Sequence, residues 1–85
     1  MVYRFAFDMR QRMKNEIPFR NAALRTAKYI ADNKNRLFVK TEPAIAGLPP
    51  VRSTENITMN GYRFYALMED VTNQVIIFDC LSDRK

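Results

Sequence analysis

The sequence predicts an α+β domain in which two N-terminal helices pack on one face of a small, mostly antiparallel sheet, in the order β-α-α-β-β-β. Three observations predict this fold. An alternating aromatic segment opens the chain, two stretches with helical spacing follow, and the last third holds a hairpin signal between β-favouring segments. With 85 residues, the chain (1–85) has room for a single domain with one modest core.

The N-terminal half predicts one strand followed by two helices. A strand is predicted at residues 2–7, where three aromatic side chains alternate with other residues, and a short helix over 8–16 follows with Asp8 as its N-cap. Pro18 interrupts that helix and suits the first turn of another, so a second helix is predicted over 18–34. Its apolar stripe is rich in alanine, which lets the helix lie close to a sheet.

The C-terminal half reads as strands and turns. A short β-favouring run at 36–40 precedes a long proline-rich loop at about 41–56. Asn60-Gly61 is a strong hairpin signal because both central residues of a type I′ turn need positive φ. The apolar run at 75–81 predicts a strand buried on both faces. The predicted core consists of Tyr3, Phe5, Phe7, Phe19, Ala23, Ile30, Ile76 and Phe78.

Charge is unevenly distributed along the chain. Residues 1–52 hold eleven Lys/Arg and four Asp/Glu, for a net charge of +7, whereas residues 53–85 hold three and five, for −2. A positive field of this kind attracts nucleic acid, acidic proteins or anionic surfaces without distinguishing among them. The sequence has no apolar run long enough to span a bilayer and no secretory signal, so a cytoplasmic protein without membrane contact is expected.

The residue types exclude several kinds of chemistry. The chain has no histidine, one cysteine and no glycine-rich phosphate loop. Zinc sites, Ser-His catalysis and nucleotide-binding loops are therefore not expected, and neither a metal nor another cofactor is predicted. The carboxylate pair Glu69-Asp70 stands at a predicted turn, where acidic residues are ordinarily exposed to solvent, so neither a hydrolytic nor a metal-binding role is expected for it.

Arginine and tyrosine remain as the chemistry-bearing residues. Strand alternation places Arg63 and Tyr65 on one face and Tyr62 and Phe64 on the other, and a sheet face with Arg and Tyr can stack on bases and bind phosphates. The alternative is that both are ordinary solvent-facing residues. A set of cationic residues in the two helices is predicted to form either a partner-binding patch or a solvated surface. These residues are Arg10, Arg12, Arg20, Arg25 and Lys28.

The pattern resembles the RelE/ParE family of small toxins from toxin–antitoxin modules. The matching features are an initial strand ending in Phe-Asp, two helices, a hairpin whose second strand begins Gly61-Tyr62-Arg63, an acidic turn, an apolar strand and the basic pair Arg84-Lys85. The sequence departs from the family in two ways. The terminal tyrosine and closing helix of the family have no counterpart in this sequence, which ends in SDRK, and the proline-rich loop stands where many members have a strand and a tight turn.

The resemblance implies a function for specific residues. RelE-like members cut messenger RNA on the ribosome with basic side chains that stabilise the phosphate transition state, which needs neither metal nor histidine. Carried over to this chain, Arg63, Arg84 and Lys85 would act in a metal-independent endoribonuclease. ParE-like members instead inhibit DNA gyrase by protein contact.

Two hypotheses follow from the sequence. The first is a toxin-like protein acting on RNA at the ribosome or on a host enzyme that handles nucleic acid, with an acidic antitoxin as a further partner. The second is a non-enzymatic regulator of the kind that phages and plasmids encode. It would bind a host protein or a nucleic acid through its basic N-terminal half, with RNA favoured over DNA. The first requires Arg63 and Arg84 to converge on one phosphate, whereas the second requires only a contiguous basic patch.

Overall fold

The fold agrees with the predicted α+β class. The computed structural model describes residues 2–38, 40–41, 51–69 and 71–80, and only the backbone of residues 40–41. Two helices pack on a mixed, mostly antiparallel sheet in the predicted order of elements. The elements are β1 (Val2–Phe5), α1 (Phe7–Asn15), α2 (Ile17–Leu37), β2 (Lys40–Thr41), β3 (Val51–Ser53), β4 (Ile57–Met59), β5 (Tyr62–Glu69) and β6 (Gln74–Asp79).

The sheet is built around β5 and β6. Its strand order is β1-β6-β5-β3-β2, and β4 also pairs with β5. Only the β1–β6 pair is parallel among the described strands; the other pairs are antiparallel. Strands β3 and β4 therefore lie one after the other along the same edge of β5.

A β-bulge separates β3 from β4. Ser53 pairs with Leu67 and Ile57 pairs with Phe64, so the outer chain advances one residue more than β5 between these pairs. Thr54 lies at the interruption, where its N–H donates to the Ala66 carbonyl at 3.1 Å and its Oγ1 accepts from the Ala66 N–H, also at 3.1 Å. The threonine hydroxyl thus replaces a backbone acceptor that the bulge displaces.

The core lies between α2 and one face of the sheet. Phe19 is fully buried and its ring centroid lies 5.6 Å from that of Phe64 on β5. Ala22 and Ala23 are also fully buried, and their small side chains let α2 approach the strands closely. The buried hydrophobic residues are Met9, Phe19, Ala22, Ala23, Ile30, Phe38, Ile57, Phe64, Ala66, Met68, Val75, Ile77 and Cys80.

The first strand is shorter than predicted, which moves Phe7 out of the core. β1 ends at Phe5, Ala6 is the N-cap of α1 in place of Asp8, and Phe7 begins the helix with 70% of its surface exposed. Two residues further on, Met9 is only 1% exposed. Because two helical residues differ by about 200° around the axis, burying Met9 turns Phe7 toward solvent. The prediction of Phe7 as a core residue was therefore wrong.

The predicted core was also out of phase on β6. Val75 and Ile77 face the helices and are fully buried, whereas Ile76 and Phe78 lie on the opposite face and are half-buried. A continuous apolar run gives no alternation from which the inward-facing residues can be chosen. Among the predicted core residues, Phe19, Ala23 and Ile30 are confirmed as buried; Tyr3 and Phe5 pack against the core from partly buried positions.

The connection between the second helix and the hairpin differs from the prediction in detail. α2 continues to Leu37 through an irregular Asn33 (φ −129°, ψ 19°), so the start of the predicted strand at 36–40 is helical. Of the predicted loop at 41–56, Thr41 ends β2 and Val51–Ser53 forms β3, while residues 42–50 lie outside the described residues. Neither described helix is long and apolar enough to cross a membrane.

Candidate nucleic-acid interface

One face of the sheet carries the helices and the other carries no described element. Residues Phe64, Ala66 and Met68 of β5 point toward α2 and are buried. The alternate residues of β5 and their partners on β6 point the other way. We call this second surface the open face; it consists of Arg63, Tyr65, Leu67 and Glu69 of β5 and Gln74, Ile76 and Phe78 of β6.

Aromatic rings occupy the middle of the open face. Tyr65 and Phe78 are directly paired across β5 and β6, and their rings stack with centroids 5.0 Å apart and planes 12° from parallel. Both are half-buried. Tyr65 was predicted as a binding residue, whereas Phe78 was assigned to the core. The alternation that places Arg63 and Tyr65 together is the signal that locates this face, and the β5–β6 register adds Phe78 to it.

Arg63 lies at the hairpin end of the same face. Its side chain is exposed, as the sequence predicted, and Tyr62 and Phe64 lie on the helix side. Its carbonyl accepts a hydrogen bond of 3.0 Å from the N–H of Cys80, the last described residue of the chain. The chain therefore leaves β6 beside Arg63. Arg84 and Lys85, the other predicted catalytic residues, lie outside the described residues.

Arg12 lies on the helix side of the sheet and is engaged by carboxylates. Its Nη1 donates to Asp79 Oδ2 at 3.0 Å and its Nε to Glu16 Oε2 at 2.9 Å, and its guanidinium carbon lies 4.1 Å from the centroid of the Phe19 ring. Burial lowers the pKa of Arg12, but hydrogen bonds and charge from Glu16 and Asp79 outweigh burial and raise that pKa above its ordinary value. Asp79 is 67 positions away, so the sequence pattern gave no sign of this pairing.

The remaining predicted cations lie on the helices. Arg10 is exposed, with its Nε donating to the Phe5 carbonyl at 3.1 Å. Arg20, Arg25 and Lys28 are exposed on the side of α2 that faces away from the sheet, and Lys28 Nζ lies 3.4 Å from Asp32 Oδ2 in a solvent-exposed ion pair. The structure thus groups Arg63 with Tyr65 and separates both from the α2 cations, which lie across the helical layer.

The two surfaces differ in what they offer a ligand. The open face presents aromatic rings beside a guanidinium, an arrangement suited to single-stranded nucleic acid, in which unpaired bases stack on rings and phosphates meet cations. The outer side of α2 presents cations without an aromatic partner among its described contacts, which suits any anionic surface. Comparison of the chain with protein-family models, curated proteins and solved structures gives no match.

Proposed function

We propose that this protein is a RelE-like small basic protein that acts in the cytoplasm on RNA at the ribosome, and that the open face is its RNA surface. The single observation that carries the proposal is the placement of exposed Arg63 beside Tyr65 and the stacked Phe78 on a sheet face without a described cover. The order of elements, one strand followed by two helices and then by strands alone, supports the family resemblance, and β3 supplies a strand in the region where the sequence had predicted a loop.

The chemistry that fits this surface is electrostatic. Tyr65 and Phe78 provide a platform beside which a base can lie, and Arg63 binds a phosphate at the hairpin end of that platform. When a ribose 2′-hydroxyl attacks the adjacent phosphorus, the P–O5′ bond breaks and leaves a 2′,3′-cyclic phosphate and a 5′-hydroxyl, with water taking the 2′ proton and supplying one to the 5′ oxygen. Negative charge grows on the non-bridging oxygens in the transition state, and a guanidinium donates hydrogen bonds to those oxygens. Stabilisation of this kind uses neither a metal nor a histidine.

Arg84 follows soon after Cys80 in the sequence. The Cys80 N–H donates to the Arg63 carbonyl, and Arg84 follows Cys80 four positions later in the sequence. An extended chain of that length spans at most about 14 Å. Arg84 and Lys85 are therefore proposed as the further phosphate-binding groups.

The alternative function is non-enzymatic binding. The observation that favours it is the exposure of Arg20, Arg25 and Lys28 on one side of α2, away from the open face. In that case the partner is an acidic surface of a host protein, such as an enzyme that handles nucleic acid, or a nucleic acid bound through its phosphates alone. An acidic antitoxin is also compatible with this surface.

Growth arrest and RNA cleavage separate the two functions. The wild-type protein is expressed from an inducible promoter, and total messenger RNA is mapped for new 5′ ends. We expect arrest and new ends with the wild type and the loss of both with Arg63→Gln or Arg84→Gln. Lys28→Gln, which removes one exposed charge from α2, serves as the matched control and should remain toxic.

Two results would count against the enzymatic proposal. Harmless expression of the folded wild type is one. The other is arrest that persists in Arg63→Gln and is relieved by Lys28→Gln together with Arg25→Gln, because that pattern assigns the activity to the helices. Circular dichroism of each variant verifies that the fold is retained.

A further inference from the structure

Among the described strands, β4 forms an edge of the sheet. Its inner side pairs with β5 over Ile57–Met59, and no described strand pairs with its outer side. β2 covers only the neighbouring β3, through the pairs Lys40 with Ser53 and Thr41 with Arg52. An edge strand with unpaired backbone groups is a template on which another extended segment can pair.

The backbone of Thr58 provides the outward-pointing groups of that edge. Met59 and Tyr62 flank the two-residue turn and form the hydrogen-bonded pair, so the next pair, Thr58 with Arg63, is of the type without hydrogen bonds between the strands. The Arg63 carbonyl confirms this register because it points toward β6 and accepts from Cys80. The N–H and C=O of Thr58 consequently point away from β5.

A groove runs beside this edge. It encloses a cavity of about 470 Å³ between β4 and the C-terminal half of α2. Ile57, Met59 and Leu37 contribute apolar surface, and Tyr29 and Arg36 contribute polar groups from the helix. The complete lining is Tyr29, Arg36, Leu37, Glu55, Asn56, Ile57, Thr58 and Met59.

Arg36 places a guanidinium in the groove. Its Nη2 donates to Asn33 Oδ1 at 3.0 Å and lies 3.4 Å from the Tyr29 hydroxyl oxygen. Both acceptors are uncharged, so these contacts orient the guanidinium without neutralising it. Glu55 is the one carboxylate of the lining and precedes β4 in the chain.

We propose that the β4 edge and this groove bind an extended segment of a partner protein, which adds a strand beside Thr58 and places an acidic side chain against Arg36. Main-chain hydrogen bonds supply affinity in such complexes and side-chain pockets supply specificity. An acidic segment is favoured because Arg36 is oriented but not neutralised and the chain carries a net charge of +5. The same charge opposes pairing with a second copy of this chain. The inference does not depend on the proposed RNA surface: it uses the outer backbone edge of β4 and the groove beside α2, although Thr58 is the cross-strand partner of Arg63 on the open face.

Selection from a peptide-display library, with the whole protein as the target, tests the proposal. Random peptides of about ten residues, which is the upper end of the usual strand length, are selected for binding to the wild type. The peptide that binds most tightly is then labelled as the probe for fluorescence anisotropy. We expect alternating apolar residues with at least one Asp or Glu. Hydrogen exchange of the Thr58 amide should slow by about tenfold or more when the peptide is added.

Variants at Thr58 and Arg36, with Lys28→Gln as a control, separate strand addition from nonspecific binding. Thr58→Pro removes the outward N–H while leaving the β4–β5 hydrogen bonds in place, and we expect affinity to fall by about tenfold. Thr58→Val keeps the N–H and should bind as the wild type does. Arg36→Gln should lower the affinity for the acidic peptide by about fivefold or more. Lys28→Gln, on the outer side of α2, should leave that affinity unchanged.

Several outcomes would overturn the proposal. They are a selection that yields no binder or only basic peptides, a Thr58 amide whose exchange is unaffected by the peptide, and equal binding by Thr58→Val and Thr58→Pro. Sedimentation that reveals a wild-type dimer abolished by Thr58→Pro would assign the edge to self-association instead. Because Thr58 exchange is read on the wild type, the test holds even if Thr58→Pro folds poorly.

Discussion

Arg12 connects three parts of the molecule through one guanidinium. It lies on α1, forms ion pairs with Glu16 before α2 and Asp79 at the end of β6, and packs over the Phe19 ring of α2. The Arg12 side chain is 26% exposed and that of Asp79 is 15% exposed, so solvent screens the pair only in part. Arg12 therefore contributes to stability by packing on the Phe19 ring as well as by its charge.

Replacement of Arg12 by Met tests that role. The methionine keeps an apolar stem near Phe19 but leaves the Asp79 carboxylate without its ionic partner, and we expect the free energy of unfolding to fall by about 1–2 kcal/mol. Urea denaturation measures the change. Arg25→Met, at an exposed position on α2, is the matched control and should change stability by no more than about 0.5 kcal/mol. Equal effects of the two substitutions would show that the Arg12 pairs contribute nothing.

Tyr3 gives the molecule an alkaline pH dependence. Burial, and then the negative charge of Asp32, raise the pKa of the Tyr3 phenol above its ordinary value of 10.0. Between 10.0 and the raised pKa the unfolded chain loses a proton that the folded protein keeps. The contribution of Tyr3 is thus fully present below pH 10 and is lost as the pH rises through the folded pKa.

The comparison of wild type with Tyr3→Phe isolates this effect. Stability is measured by denaturant unfolding from neutral to strongly alkaline pH. We expect a constant difference between the two proteins below pH 10 and a decline of the wild type relative to Tyr3→Phe above it. A difference that stays constant through the alkaline range would mean that Tyr3 titrates alike in the folded and unfolded states.

The β4–β5 hairpin is the element that the local sequence determines most directly. Asn60 and Gly61 have φ of 54° and 84°, as a type I′ turn requires. A Cβ placed on Gly61 would meet nothing within 4 Å, so an L-residue is disfavoured there by its backbone conformation and not by a clash. The turn fixes the register that sends Thr58 outward and Arg63 onto the open face.

Substitution of Gly61 measures that conformational preference. Gly61→Ala should lower the free energy of unfolding by about 1–2 kcal/mol, because alanine resists positive φ. Gly61→Asn is the matched control, since asparagine adopts the left-handed region more readily, and its loss should be smaller. If alanine and asparagine are equally tolerated, the hairpin does not hold the positive φ that determines the register.

Elements governed by local signals were predictable, and those governed by tertiary contacts were not. Pro18 near the start of α2 and Asn60-Gly61 in the hairpin express intrinsic backbone preferences, and both indicated the right elements. The inward-facing side of β6 depends on its pairing with β5, and the apolar run contains no local cue to it. β3 exists because β2 and β5 pair with it, so its three residues resembled loop when read alone.

The same division applies to the candidate site. The alternation of β5 was enough to place Arg63 with Tyr65 and away from Tyr62 and Phe64. Phe78 joined that face only through cross-strand pairing, and Asp79 reached Arg12 only through packing of α1 against the sheet end. Arg12 was predicted as a binding residue from its charge, and its carboxylate partners became visible only in three dimensions.

At the scale of the whole molecule, most of the described cations lie on the helices, whereas the stacked aromatic pair lies on the open face of the sheet. Most of the net charge belongs to residues 1–52, and the α2 cations Arg20, Arg25 and Lys28 face away from the sheet. The open face holds the aromatic pair and Arg63. A phosphate backbone is attracted by the field of the entire chain, and the open face combines a cation with a stacked pair of rings beside which bases can lie.

Nuclear magnetic resonance mapping with a short single-stranded oligouridine tests this account most directly. Amide shifts of the ¹⁵N-labelled protein are followed during titration. We expect the largest changes at Arg63, Tyr65 and Phe78 on β5 and β6, and weaker binding by Arg63→Gln than by Arg25→Gln. Shifts confined to α1 and α2, with β5 and β6 unchanged and Arg63→Gln binding as tightly as the wild type, would contradict the assignment of the open face as the RNA surface.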